Sequence, residues 1–152
     1  MSNDPVRPYN RLIVPGLGPL YGNLSEFAET LLRVVAGLAL VTHGFPKILD
    51  PISRTGLVES LGIFPGPPEL WAVLLAMTEF FGGILIAIGL LTRPAAFAGL
   101  FVLLVTVYFH WIVQSEGYGG SEKSILWAAI LFYLVIRGAN SHSVDARLGK
   151  TF

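Results

Sequence analysis

Four stretches of the sequence are apolar over nearly the length that crosses a lipid bilayer, about 20 residues. They cover about residues 27–47, 70–91, 94–113 and 121–138. The first is interrupted by Arg33, Thr42 and His43, and the second contains one charge, Glu79. The fourth is weaker, because its unbroken apolar run covers only residues 125–136 and basic residues at its ends must snorkel to the interfaces. The pattern predicts an all-α integral membrane protein with a four-helix bundle.

The composition agrees with a membrane protein. Of the 152 residues, 53% are hydrophobic and 13% are charged, about half of the roughly 25% charged residues of a soluble domain. This composition excludes disorder and leaves too few polar side chains to cover a soluble surface. Ten Lys and Arg balance ten Asp and Glu, and there is no cysteine. A basic nucleic-acid-binding surface, disulfides and thiolate metal sites are therefore excluded.

The segments outside the apolar stretches define the domain organisation. Residues 1–25 are proline-rich and lack the pattern of a signal peptide, so we interpret them as a solvated tail with an interfacial contact near residues 11–15. Residues 26–140 form the transmembrane domain, and residues 141–152 a C-terminal tail. We also expect a short interfacial helix over residues 56–61 and a tight helix–helix turn over residues 91–94.

The distribution of Lys and Arg predicts the orientation. With four spans, both termini lie on one side of the membrane, together with the turn that contains Arg93. That side holds Arg7, Arg11, Arg93, Arg137, Arg147 and Lys150, and the other side holds Lys47, Arg54 and Lys123. Because cytoplasmic loops carry the excess of basic residues, both termini are predicted to be cytoplasmic.

Arg33 and Glu79 are the two clearest ionisable residues at membrane depth within the predicted spans, where a charge needs a partner or a water-filled cavity. Counting from helix ends at Phe45 and Leu70 places Arg33 roughly 18 Å and Glu79 roughly 14 Å below the outer surface. These depths predict an ion pair between Arg33 and Glu79. Such a pair either pins two helices together, or lines a site for a polar head group or for protons.

A second polar group is expected near the outer interface. His43 and Lys47 are one turn apart on the first span, His110 lies at the end of the third, and Glu122 begins the fourth. No metal site is predicted, because the ligands come from separate helices and Lys47 opposes a nearby dication.

Small residues recur at helical spacing on the second and third spans and predict close helix packing. They are Ala72, Ala76, Gly82, Gly83 and Ala87 on the second span, and Ala95 and Gly99 on the third.

The order of several motifs resembles the DoxX family of small bacterial membrane proteins. The resembling residues are Arg33 and Gly37, His43-Gly44-Phe45-Pro46-Lys47, Glu79-Phe-Phe-Gly82-Gly83, Gly89-Leu-Leu-Thr92-Arg93, His110, Glu122, Gly138 and Ser143-Val-Asp145. The resemblance covers about residues 32–148 and implies a compact four-helix bundle in the bacterial cytoplasmic (inner) membrane. It also implies an association with membrane redox complexes, since the family includes proteins linked to thiosulfate:quinone oxidoreductase.

The leading hypothesis is a membrane subunit of a redox complex that contacts a quinone through an outer-side polar cleft. The candidate cleft residues are Arg33, His43, Lys47, Glu79, His110 and Glu122. In this picture a His or Lys donates a hydrogen bond to a quinone carbonyl and Glu79 or Glu122 handles protons. The chain has no cysteine and no evident haem-ligand pair, so a redox partner subunit is expected. The alternatives are a structural or assembly subunit without its own chemistry and, ranked last, transport of a small solute.

Overall fold

The computed structural model of the protein describes residues 12–149, and these residues are all-helical, without a strand. The helices are α1 (Gly18–Leu49), α2 (Thr55–Leu61), α3 (Pro68–Met77), α4 (Gly83–Ile88), α5 (Thr92–Tyr108), α6 (Gly117–Arg137) and α7 (Val144–Arg147), with 3-10 turns at Pro15–Leu17 and Pro51–Arg54. A π-helical turn, Thr78–Gly82, joins α3 to α4 without a break, and a second one, Phe109–Val113, extends α5.

Three helices in this part of the chain are long and apolar enough to cross a membrane. They are Pro68–Ile88, Thr92–Val113 and Gly117–Arg137. Large apolar side chains such as Phe97, Leu104 and Phe132 are more than half exposed on their outer faces. A lipid environment accounts for such exposure, because lipid tails solvate apolar side chains.

The helix bounds differ from the prediction mainly in α1. This helix begins at Gly18, inside the stretch expected to be a solvated tail, because Pro19 occupies its first turn, where a missing N–H breaks no hydrogen bond. It then continues through Pro46 to Leu49. Residues 1–11, the first part of the predicted tail, lie outside the described residues.

Two smaller predictions are confirmed. The expected short helix is α2. The connection between α4 and α5 is a tight turn in which Gly89 and Leu91 both have a left-handed backbone, with φ of 73° and 49°.

Glycines bring α1 into backbone contact with α3–α4. A Cβ atom added to Gly37 would lie 2.5 Å from the Ala87 nitrogen, and one added to Gly83 would lie 2.7 Å from the Gly37 oxygen. Of the predicted positions, Ala72 and Ala76 are almost fully buried, and Gly99 of α5 lies against Leu131, whereas Gly82 has only the Thr78 side chain within 4 Å. The prediction of small-residue packing is therefore confirmed for α3–α4 and α5.

One residue from each of the four long helices lies at the same depth in the bundle, and this depth is called the reference level below. Leu40 of α1 contacts both Gly83 of α4 and Gly99 of α5, and Gly99 also contacts Leu131 of α6. Leu40 and Leu131 belong to the buried core. Below, the end of the bundle at which α1 begins and α6 ends is called the terminal side, and the opposite end is called the loop side.

Candidate functional site

A buried ion pair lies near the middle of the bundle. The Lys47 ammonium binds the Glu79 carboxylate, and their side chains are only 16% and 9% exposed. Glu79 is four residues from Gly83, so it lies about 6 Å to the loop side of the reference level. It therefore lies near the midpoint of the membrane-crossing helix Pro68–Ile88. A charged pair at this depth is costly unless it is mutually satisfied or contacts a polar ligand.

Local backbone features bring the two charges together. Glu79 lies in the π-helical turn Thr78–Gly82, an irregularity that often occurs at functional sites. Gly44 lies against the backbone of Glu79 and Phe80, at a distance that leaves no room for a Cβ atom. Lys47 follows Gly44 by about one helical turn, so this close approach of α1 brings the ammonium to Glu79.

His43 lies one turn from Lys47, at the boundary between α1 and α6. Its ring meets the edge of Trp127, with 6.4 Å between ring centroids and an interplanar angle of 83°. Trp127 is four residues from Leu131, so this contact is at nearly the same level as Glu79. His43 is exposed, and its ring makes no side-chain hydrogen bond to any residue of the range 12–149. It therefore presents a free polar group beside the ion pair.

The predicted ion pair between Arg33 and Glu79 is wrong. Arg33 is 2% exposed and donates hydrogen bonds to the carbonyl oxygens of Ile86 (2.9 Å), Ala87 (2.7 Å) and His142 (2.7 Å). It lies on the terminal side, seven residues from Leu40, whereas Glu79 lies on the loop side. The count from Phe45 and Leu70 failed because α1 continues past Phe45 and because the glycine contacts, rather than the helix ends, determine how the helices align.

Arg33 satisfies the C-terminal carbonyl groups of α4, which have no partner within the helix. Its guanidinium also fills the space beside Gly89, where a Cβ atom would lie 2.6 Å from Nη1. Within the described residues the buried Nε has no hydrogen-bond partner. The geometry gives Arg33 a role in joining α1, α4 and the segment after α6, and removes it from the candidate cleft.

The segment after α6 contains a buried residue that sequence reasoning missed. Asp145 is 2% exposed, and its carboxylate accepts hydrogen bonds from the backbone N–H of Leu91 (2.9 Å) and of Thr92 (3.2 Å) and from the Thr92 hydroxyl (3.2 Å). Asp145 therefore caps the first turn of α5. Its only sequence signal was the Ser143-Val-Asp145 motif of the family resemblance, which contains no information about its partners.

The remaining candidates lie at the loop-side end. His110, in the second π-helical turn, bonds Glu116 through Nδ1 at 2.6 Å. It is eleven residues from Gly99, about 16 Å from the reference level and roughly 10 Å from the level of Glu79. Glu122 is exposed, and no side-chain hydrogen bond or ion pair joins it to the described part of the chain. The six candidates thus separate into a central site (His43, Lys47 and Glu79), a loop-side group (His110 and Glu122), and Arg33.

Within residues 12–149, no group of three or more His, Cys, Asp or Glu side chains is arranged to hold a metal ion. The chemistry available in the central site is that of one ammonium, one carboxylate and one imidazole. These groups can donate hydrogen bonds to a carbonyl oxygen and exchange a proton.

The helices and the central site define a small multi-pass membrane protein with a polar group inside its bundle. Comparison with known sequences identifies the family: residues 28–111 match DoxX, and the chain belongs to the DoxX family. No solved structure matches the chain.

Three relatives illustrate the similarity. An "Uncharacterized protein" of Haemophilus influenzae is 32% identical over 126 residues, which cover 78% of this chain and 89% of that protein. Inner membrane protein YqjF of Escherichia coli is 28% identical, over 84% of this chain and 96% of its own length. The protein named "Putative oxidoreductase CatD" of Bacillus subtilis is 26% identical, over 79% and 86%. With its apolar helices, the chain is a multi-pass inner membrane protein.

Proposed function

We propose that this protein is a membrane subunit associated with a redox complex and that its central site contacts a quinone head group. The observation that carries the proposal is the buried Lys47–Glu79 ion pair, placed in a π-helical turn near the middle of an apolar helix. A pair that served only to join helices would not need an exposed imidazole one turn away. The name of the relative CatD, which contains the word oxidoreductase, supports the redox association.

The central site offers the groups that a quinone head group needs. Lys47 or His43 donates a hydrogen bond to a quinone carbonyl, and Glu79 accepts or supplies the proton that accompanies reduction. Because His43 is exposed at the boundary of α1 and α6, a lipid-soluble ligand reaches the site from the bilayer. Electrons come from a partner subunit, since this sequence has no cysteine and no evident haem-ligand pair.

The proposed topology contains a fourth span, α1, with both termini in the cytoplasm. Three charged residues that reduce the apolar character of α1 have partners on other parts of the described structure. Glu29 accepts hydrogen bonds from Tyr133 (2.9 Å) and Arg137 (3.0 Å), Arg33 binds three carbonyl groups, and Lys47 binds Glu79. Pairing of this kind lowers the cost of placing charged residues in a membrane helix.

Binding of a quinone analogue to the purified protein in lipid nanodiscs tests the proposal. Glu79→Gln keeps the shape of the side chain but removes its charge, so we expect it to weaken binding about tenfold, corresponding to one charge-assisted hydrogen bond. Glu69→Gln is the matched control, because Glu69 is an exposed carboxylate in the first turn of the same continuous helix. Absence of binding, or equal affinities for the two variants, would overturn the quinone assignment.

A structural or assembly role is the second candidate, and the bonds of Arg33 and Asp145 favour it. Arg33→Ala and Asp145→Ala each leave several buried polar groups without partners, so we expect both to reduce the amount of folded protein in the membrane. Arg147→Ala is the control, because Arg147 is exposed in the same short helix as Asp145. If the purified protein binds no quinone while both buried variants lose abundance, the structural role is the one that stands.

A further inference from the structure

A cavity of about 460 Å³ lies on the terminal side, between the first turns of α1 and the segment after α6. It is lined by Gly22, Asn23, Glu26, Phe27, Thr30 and His142. Its volume falls within the range of about 300–1,000 Å³ that is usual for small-molecule sites. Because it lies at the opposite end of the bundle from the loop-side groups and below the level of Arg33, it is separate from the central site.

The depth of the cavity points to the head-group layer of the membrane. Arg137 is the last residue of the apolar helix α6, and it bonds Glu29 at 3.0 Å. Glu26 precedes Glu29 by about one turn, so the cavity lies just beyond the ends of the membrane-crossing helices. The polar layer of a bilayer begins at this level, whichever way the chain is oriented.

The polar wall of the cavity is held in place by hydrogen bonds. Asn140 donates to the Glu26 carbonyl oxygen (2.7 Å) and to the Thr30 hydroxyl (2.8 Å). The Ser141 hydroxyl donates to the Glu26 carboxylate, and the Nδ1 atom of His142 lies 3.7 Å from the same carboxylate. The segment after α6 therefore fixes the Glu26 side chain at the cavity.

The charge and the apolar edge of the cavity indicate the ligand class. Among the described residues that line it, Glu26 is the one carboxylate, and the nearby cation of Arg137 is bound to Glu29. Phe27 forms the other edge, and Leu31, one turn farther along α1, continues the exposed apolar face toward the bilayer. An ammonium group fits against the carboxylate, and an acyl chain fits along this face.

We propose that this cavity binds a membrane lipid whose head group carries a primary ammonium. The ammonium binds the Glu26 carboxylate, and the acyl chain lies along Phe27 and Leu31. The other lipid classes serve as alternatives that the experiment distinguishes. A methylated ammonium is bulkier and donates no N–H hydrogen bond, and an anionic head group is repelled by Glu26.

Native mass spectrometry of the full chain in detergent tests the proposal with three lipids of the same acyl chains. We expect phosphatidylethanolamine to bind with a Kd about tenfold lower than phosphatidylcholine or phosphatidylglycerol. Glu26→Gln is expected to remove this preference, while the exposed Glu69→Gln, on the loop side, keeps it. Gly22→Leu should weaken phosphatidylethanolamine binding without changing any charge, because its side chain fills the cavity.

Each of three binding results would overturn the proposal. They are equal or tighter binding of phosphatidylcholine or phosphatidylglycerol, equal behaviour of Glu26→Gln and Glu69→Gln, and unchanged binding in Gly22→Leu. Because Glu26 is exposed and Gly22 is a helical glycine without a left-handed backbone, both variants are expected to fold. A loss of folded protein in both would show that the carboxylate and the cavity serve stability alone, and would also overturn the proposal.

Discussion

At the scale of single residues, the proposed central site depends on which buried charged side chains are partners. Lys47 and Glu79 form a pair, whereas Arg33 binds backbone carbonyl groups. Arg33 and Lys47 are about 21 Å apart along α1. Removing one member of a buried pair leaves an uncompensated charge, while removing both with apolar residues of similar volume is often tolerated. The pairing therefore has a measurable consequence for stability.

We expect Glu79→Leu alone to lower the free energy of unfolding by about 3–5 kcal/mol, and Lys47→Met together with Glu79→Leu to recover most of that loss. Arg33→Leu together with Glu79→Leu should show no such recovery. Unfolding in detergent or bicelles measures each variant. Recovery in the Arg33 double variant, with none in the Lys47 double variant, would mean that the assigned partners are wrong.

The sequence is sufficient to identify the charged residues within the apolar stretches but not their partners. Arg33, Lys47 and Glu79 stand out because each interrupts or borders an apolar run. Their pairing depends on how α1 aligns with α3–α4, and the hydropathy pattern leaves this alignment undetermined. Asp145 was missed because a carboxylate in a short polar segment resembles an ordinary solvated residue until its backbone partners are known.

At the scale of the helices, Gly44 determines how closely α1 approaches the π-helical turn. A Cβ atom at this position would collide with the backbone of Phe80, which cannot move as a flexible side chain would. We expect Gly44→Ala to push α1 away and to weaken the Lys47–Glu79 contact, with a loss of stability of about 1–3 kcal/mol from overpacking. The unfolding midpoint and quinone-analogue affinity should both fall.

Gly56→Ala is the matched control, since a Cβ atom at Gly56 in α2 would meet nothing within 4 Å. This variant should be neutral or slightly stabilising, because alanine favours the helical backbone. If Gly44→Ala and Gly56→Ala had the same stability and affinity, the close approach of α1 would not control the central site.

The apolar stretches were sufficient to predict that the long helices exist, but not to predict the residues at which they begin and end. Pro19 suggested a break, and Pro46 lies next to the predicted end of the first span at residue 47, yet α1 includes both. The first lies in the initial turn, where no N–H is required, and the second lies in the last turn, so the helix has only a few residues to complete after it. The π-helical turns at Glu79 and His110 left no pattern in the sequence that would distinguish them from regular helix.

At the scale of the whole molecule, the charge distribution predicts the orientation. Six Lys and Arg residues are expected on the terminal side, of which Arg7, Arg11 and Lys150 lie outside the described residues, and three are expected on the loop side. This excess favours a cytoplasmic terminal side. We expect a fluorescent protein fused to the C-terminus to be bright and an alkaline phosphatase fusion at the same position to be inactive. A phosphatase fusion inserted in the connection between Val113 and Gly117 should be active instead, and the reverse pattern would contradict the topology.

Of the whole molecule, the family and the membrane location could be predicted from the sequence. The sequence could not show whether the candidate polar residues form one cleft on the outer side. Counting residues from the helix ends places them near the same interface, but they lie at different depths once the helices pack. The glycine contacts set those depths, and they place His110 about 10 Å from the level of Glu79.

Photo-crosslinking with an azido-quinone in native membranes, followed by peptide mapping, determines whether a quinone binds at the Lys47–Glu79 pair. We expect the label to attach to peptides containing residues 43–47 and 79–83, and unmodified quinone in excess to prevent the labelling. Labelling confined to peptides containing His110 and Glu122, or labelling spread evenly over the lipid-facing helices and insensitive to competition, would contradict a quinone site at the Lys47–Glu79 pair.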